Sequence, residues 1–258
     1  QLEAVIEYTH RLVSSAIVGP LVLATTVAAW VLYRRQRWLV VPATLAVALL
    51  AVQAALGAVT VLSELSPGTV AAHFALGEAL LASLVVVYMV ASRGALVLEP
   101  GGSSDRTDSL PKLALVSAIA LYLLMLSGSY VTVSGATPAC GTHWPLCQGG
   151  IFPDALLPKV HMAHRFAALL IGALLMYTLH LGIRGRRRPP QVKLVSMATA
   201  TLFLVQVMVG ALTVWLGFPA GLSALHVAMA TVVWCTTVAL VVLSFAGRPA
   251  PAKEPLRA

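Results

Sequence analysis

Seven apolar runs decide what this chain can fold into. They cover residues 8–33, 39–62, 69–92, 113–134, 160–183, 192–216 and 222–245. Each reaches the length of about 20 residues that an α-helix needs to cross bilayer hydrocarbon. A segment in lipid must satisfy its own backbone groups, and no strand-like alternation competes with these runs, so an all-α integral membrane protein is expected. Only 10% of the residues are charged, against about a quarter in soluble domains. The formal net charge of +8 would point to nucleic acid if the basic residues gathered on an aqueous folded surface. They lie instead in short connections between apolar runs, so the expected partner is a lipid bilayer and no nucleic acid.

The distribution of those charges sets an orientation. Arg34, Arg35 and Arg37 follow the first run, and Arg93, Arg106 and Lys112 flank the connection after the third. Arg184, Arg186, Arg187, Arg188 and Lys193 follow the fifth, and Arg248, Lys253 and Arg257 end the chain. With seven spans all of these fall on one side, while the other receives only Arg11, Lys159 and Arg165. The basic side is expected in the cytoplasm. The first residues and the loop between Cys140 and Cys147 then face outward and the C-terminus inward, across a prokaryotic plasma membrane.

Residues 94–111 are rich in Gly, Ser, Asp and Pro and read as a linker. It separates an N-terminal half-bundle, 1–93, from a C-terminal four-helix bundle, 112–246, with a tail at 247–258. The halves repeat each other. The stretch from Val52-Gln53 through Gly57-Ala58 to Thr60-Val61 matches Val205-Gln206, Gly210-Ala211 and Thr213-Val214 at an offset of 153 residues. The same offset carries His73 onto His226, and an offset of 154 carries His10-Arg11 onto His164-Arg165. Both halves run the same way through the membrane, so the repeat is parallel. The second half has four runs and the first three, which predicts two tandem four-helix repeats with the first helix of the first repeat missing from this chain. A protein with seven helices in its native form is the competing reading.

Four histidines stand in register on this repeat. His10, His73, His164 and His226 each lie near the outward start of a helix, and each pair is separated by one return helix. In a four-helix bundle such positions face each other across the interior. Two neutral imidazoles placed so are suited to holding a haem iron axially, and two repeats would give two such sites. A lone histidine at a helix mouth is more often an interfacial or hydrogen-bonded residue; the repetition favours ligation over a proton path or a non-haem metal. Arg11 and Arg165 follow two of the four directly, where they either pair with haem propionates or snorkel to lipid head groups. The repeated Gly57 and Gly210 either admit a cofactor or allow close helix packing. Gln53, Gln206, Thr60 and Thr213 either bond across helices or line a pocket.

The halves also differ. Glu7 lies three residues before His10, on nearly the same helical face, and the equivalent residue of the second half is His161. Glu7 therefore reads as a general acid/base beside one site only, or as a solvated carboxylate favoured near a helix N-terminus. Glu3, Glu64 and Glu78 have weaker claims, and His143, His161 and His180 are not expected as ligands. Cys140 and Cys147 can close a disulfide over the second pocket or remain free thiols; Cys235 reads as buried packing.

Glu7-Tyr8-Thr9-His10-Arg11, His73, Cys140-Gly-Thr-His-Trp-Pro-Leu-Cys147-Gln-Gly, His164-Arg165 and His226 together resemble the haem A synthase family. The resemblance spans most of the chain. It implies eight helices in two homologous halves, and an enzyme that oxidises the C8 methyl of haem O to a formyl group, giving haem A for terminal oxidases. It further implies haem b as cofactor on His164 and His226, haem O or haem A on His10 and His73, and Glu7 as the functional carboxylate. Partners implied are haem O, a haem O synthase, a terminal-oxidase assembly pathway and an electron donor. A non-catalytic di-haem b electron carrier is the alternative, and a haem-delivery factor a third reading.

Overall fold

The computed structural model describes residues 2–92, 108–148, 150–185 and 188–246. Most of the linker, the tail, and Arg93, Arg106, Arg186, Arg187, Arg248, Lys253 and Arg257 lie outside the described residues. Among those described the chain is helical and carries no strand. Seven helices are long and apolar enough to cross a membrane, and the protein is an integral membrane protein.

The first rod comprises α1 (Leu2–Val13), a π-helical turn (Ser14–Val18) and α2 (Gly19–Tyr33). Pro20 explains the interruption: without an N–H it cannot donate to the carbonyl four residues earlier, and the ladder widens by one residue just before it. The Ser14 and Ser15 hydroxyls donate to the carbonyls of His10 and Arg11 at 2.6 and 2.7 Å, so the wide turn sits directly behind the His10-Arg11 pair. There follow α3 (Arg37–Leu62), α4 (Pro67–Ala91), α5 (Leu110–Val133), α6 (Leu156–Arg184), α7 (Pro190–Trp215) and α8 (Ala220–Phe245). Several helices begin earlier than their apolar runs. Pro at the first turn of α4, α5 and α7 is compatible with helix, and polar residues extend it into the interface without adding to the apolar run. His10, His73, His164 and His226 thus sit about two turns inside their helices.

In the second half α5, α6, α7 and α8 pack in a closed ring, with α6 and α8 at opposite corners. Its core joins Leu110, Leu121, Leu124, Leu175, Leu179 and Val233, among others. Helix association inside lipid lacks an aqueous hydrophobic drive and relies on packing and interhelical hydrogen bonds. The buried Ser117–Thr178 bond of 2.8 Å between α5 and α6 is one of these. In the first half α3 packs on both α2 and α4, and α4 packs on α5 and α8 to join the halves.

The repeat extends to individual bonds. Gln53 Nε2 donates to the His73 carbonyl at 2.9 Å, and Gln206 Nε2 to the His226 carbonyl at 2.8 Å. Thr60 and Thr213 each donate to the carbonyl four residues back at 2.8 Å. The turns after α3 and α7 also match. Glu64 and Leu65 have φ of 54° and 61°, and their equivalents Gly217 and Phe218 have 74° and 62°. Glycine occupies the first left-handed position in only one copy, so Glu64 carries a backbone penalty of about 1 kcal/mol that Gly217 avoids.

At the basic end the Arg188 guanidinium grips the Asp108 carboxylate through both terminal nitrogens, tying the approach to α5 to the α6–α7 connection. Asp108 also accepts the Leu110 N–H at 3.0 Å. The Arg188 hydrogen bonds hold the Asp108 carboxyl below its ordinary value. Such a group stabilises the fold above the unfolded carboxyl value of about 4, and the contribution is lost as pH falls through the lower folded value. Asp108→Asn should therefore cost about 1 kcal/mol at neutral pH, seen as a lower thermal midpoint in detergent micelles. The difference from the native chain should vanish in acid.

Candidate functional site: two histidine pairs at one end of the bundle

All four repeated histidines lie toward the end at which α4, α6 and α8 begin. In the first half the His10 and His73 rings stand edge-on, with centroids 6.2 Å apart and planes at 79°. A metal–imidazole nitrogen bond is about 2 Å, and the nitrogen lies about 1 Å from its ring centre. Two such bonds in line require ring centres about 6 Å apart, a distance close to that of this pair. In the second half His164 on α6 and His226 on α8 occupy opposite corners of the closed ring. Among the described residues no three His, Cys, Asp or Glu side chains converge on a point.

Three of the rings lie against a glycine of a neighbouring helix. A Cβ placed on Gly57 would lie 3.1 Å from His73 Cε1, one on Gly128 3.0 Å from His164 Cε1, and one on Gly210 2.7 Å from His226 Cε1. The repeat singled out Gly57 and Gly210 with both meanings open; here each glycine makes room for an imidazole. Gly128 was not legible, because its helix has no counterpart within this chain. Beside it, Ser127 gives its one proton to the Leu124 carbonyl at 2.7 Å and lies 2.7 Å from His164 Nδ1. Nδ1 must then be the donor, which leaves the Nε2 lone pair free for a metal. His73 Nδ1 and His226 Nδ1 are buried without a partner, as are Gln53 Oε1 and Gln206 Oε1.

The residues that differ between the halves are paired alike. The Arg11 guanidinium contacts Glu7 four residues earlier, both more than half exposed. In the second half Arg165 Nη2 lies 3.3 Å from His161 Nε2, again four residues earlier. His161 Nδ1 lies 3.1 Å from the Ala136 carbonyl. The imidazole is thus a neutral donor–acceptor between a carbonyl and a cation, with both nitrogens used. Arg165 Nη1 also donates to the carbonyls of His143, Pro145 and Leu146 at 2.9, 3.0 and 3.1 Å. These carbonyls belong to the loop closed by the Cys140–Cys147 disulfide. Trp144 on this loop meets Trp215 of α7 edge to face at 5.3 Å. The loop is therefore strapped to the end of the second bundle. His143 lies in this loop, as expected, and His180 near the far end of α6.

Fold and site together define a membrane-embedded helical protein that presents paired imidazoles on facing helices. The family model described as cytochrome oxidase assembly protein matches residues 1–238, and the chain belongs to that family. Among curated relatives, proteins named heme A synthase from Bacillus cereus (strain G9842) and Bacillus anthracis (strain CDC 684 / NRRL 3495) are each 29% identical to it over 231 residues. The match covers 87% of this chain and 72% of each relative.

Proposed function

We propose that this protein is a haem A synthase, an oxidoreductase that converts the C8 methyl of haem O to a formyl group. The observation that carries the reading is the His10–His73 pair, whose 6.2 Å ring separation suits axial ligation, in a chain whose relatives bear that name. The glycines at His73, His164 and His226 let each imidazole seat against its neighbouring helix, and the buried Nδ1 atoms of His73 and His226 are polar atoms still to be satisfied.

His164 and His226 would hold haem b, and His10 and His73 would hold the substrate haem O. Haem b, when bound, supplies one-electron redox chemistry. Ser127 keeps the His164 Nε2 lone pair aimed for ligation. The disulfide-closed loop, fastened by Arg165, shields the second site from water. Glu7 stands only at the first site; it accepts a proton as the methyl group is oxidised, and Arg11 holds its carboxylate in place. Arg11, more than half exposed, would be the cation for propionates at the first site, whereas Arg165 already serves the loop. The charge asymmetry supports an orientation with the histidine end outside and the C-terminus in the cytoplasm. A haem O synthase, a terminal-oxidase assembly pathway and an electron donor are the partners such an activity needs.

Haem extraction decides the matter. Purified protein should yield haem b together with haem O or haem A on chromatography and mass analysis. Haem b alone, from cells that make haem A, would favour the di-haem electron carrier instead.

A further inference from the structure

Glu78 is a carboxyl in the middle of the membrane that the proposed chemistry does not use. It lies 11 residues into α4, about 16 Å along the helix, and is 6% exposed. Its Oε1 accepts the Thr231 hydroxyl of α8 at 2.6 Å, and Oε2 is buried without a partner. Trp234 Nε1 donates to the Glu78 carbonyl at 3.1 Å. Glu78 and Thr231 are 153 residues apart, the offset that relates the halves. Equivalent residues that touch each other must lie on the axis relating the two copies. Glu78 is five residues beyond His73, and Thr231 five beyond His226. One acidic group, present in one copy only, therefore stands between the two histidine sites.

No cation faces it. On α4 itself the other titratable groups are His73 and Tyr88. From α5 come Tyr122, whose hydroxyl donates to the Ala75 carbonyl, along with Tyr130 and Lys112. From α8 come His226 and Cys235, and from α3 only Arg37, at the start of that helix. An unpaired carboxylate here is costly unless a positive charge is close by. A ferric iron in a dianionic macrocycle with two neutral imidazoles carries such a charge, and a ferrous one does not.

We infer that Glu78 is a redox-linked proton site shared by the two histidine pairs, an inference that rests on the haem reading above. In the oxidised protein Glu78 is a carboxylate balancing the ferric charge. On reduction by a one-electron donor, dithionite in the test below, the bound haem would take the electron and Glu78 would take up one proton from bulk water as a neutral carboxyl. Glu78 acts through charge and is a positioning residue, not a group that touches substrate.

The test is a redox titration of the haem-loaded protein in detergent, poised with dithionite and a one-electron oxidant, with infrared difference spectra at each end. The midpoint potential should fall as pH rises. Reduction should bring up a carboxyl C=O band. Glu78→Gln should lose that band and most of the pH slope while retaining its haem. Thr231→Val keeps the carboxyl but removes its donor, so it should shift the band; it decides the question if Glu78→Gln fails to insert. An unchanged slope and band in Glu78→Gln, or an unmoved band in Thr231→Val, overturns the inference. Protein that binds no haem would instead overturn the haem reading, and this inference with it.

Discussion

Gly210→Ala is expected to empty the second histidine pair. The added Cβ would stand 2.7 Å from His226 Cε1, closer than a Cβ in a packed protein approaches, and 3.2 Å from Nδ1. The His226 backbone cannot yield, because its carbonyl is held by Gln206 from the same helix as Gly210. The ring must leave its rotamer, at about 0.5–1.5 kcal/mol, and a turned ring no longer aims its nitrogen at a metal. Haem b affinity at the second pair should fall by about tenfold, since about 1.4 kcal/mol is a factor of ten, while haem at the first pair is retained. Gly57→Ala is the internal control: its Cβ meets His73 Cε1 at 3.1 Å, which a shift of a few tenths of an ångström relieves. The measurement is the haem-to-protein ratio with the visible spectrum. Full occupancy and an unchanged spectrum in Gly210→Ala would remove His226 from the ligand set.

Glu7→Gln is expected to slow conversion of haem O about 100-fold or more, the range lost with a general acid/base, while haem content stays native. Glutamine keeps the size and hydrogen-bonding reach of glutamate but cannot take a proton. Glu7 and its partner Arg11 are more than half exposed, so the pair contributes little to stability and the effect should not come from misfolding. Glu7→Asp keeps the charge and should recover part of the rate. Turnover is followed as haem A formed against haem O remaining, and native rates in Glu7→Gln would take this carboxylate out of the mechanism. The second half makes the contrast physical. There the same position is His161, buried between Ala136 and Arg165 with both nitrogens engaged, and no free proton acceptor remains beside His164.

Much of the architecture was legible before any coordinates. Apolar runs in lipid admit helices alone among open structures, so seven runs meant seven helices. The offset that placed His73 on His226 also placed Gln53 on Gln206, and the structure turns that correspondence into the same bond made twice. The starts of the helices were less legible, because the charged Lys159 ends the apolar run while the α6 helix reaches back through Pro158 and Leu157 to Leu156. Arg165 had two readings, propionate or head group. Folding introduced a third partner, the carbonyls of the Cys140–Cys147 loop, which no spacing rule relates to residue 165.

What the sequence by itself determined is the class, the correspondence between the halves, the four histidines that stand in register on it and a carboxylate, Glu7, beside one pair only. Each follows from periodicity or from comparing one half with the other, and both are properties of the chain read in one dimension. Only the tertiary structure decided which partner each polar group takes. Ser127 and Gly128 meet His164 because α5 packs on α6, and Glu78 meets Thr231 because α4 and α8 cross where the two halves join. A polar group in lipid must find its partner on whichever helix lies alongside, and helix neighbours are chosen by packing across the whole bundle.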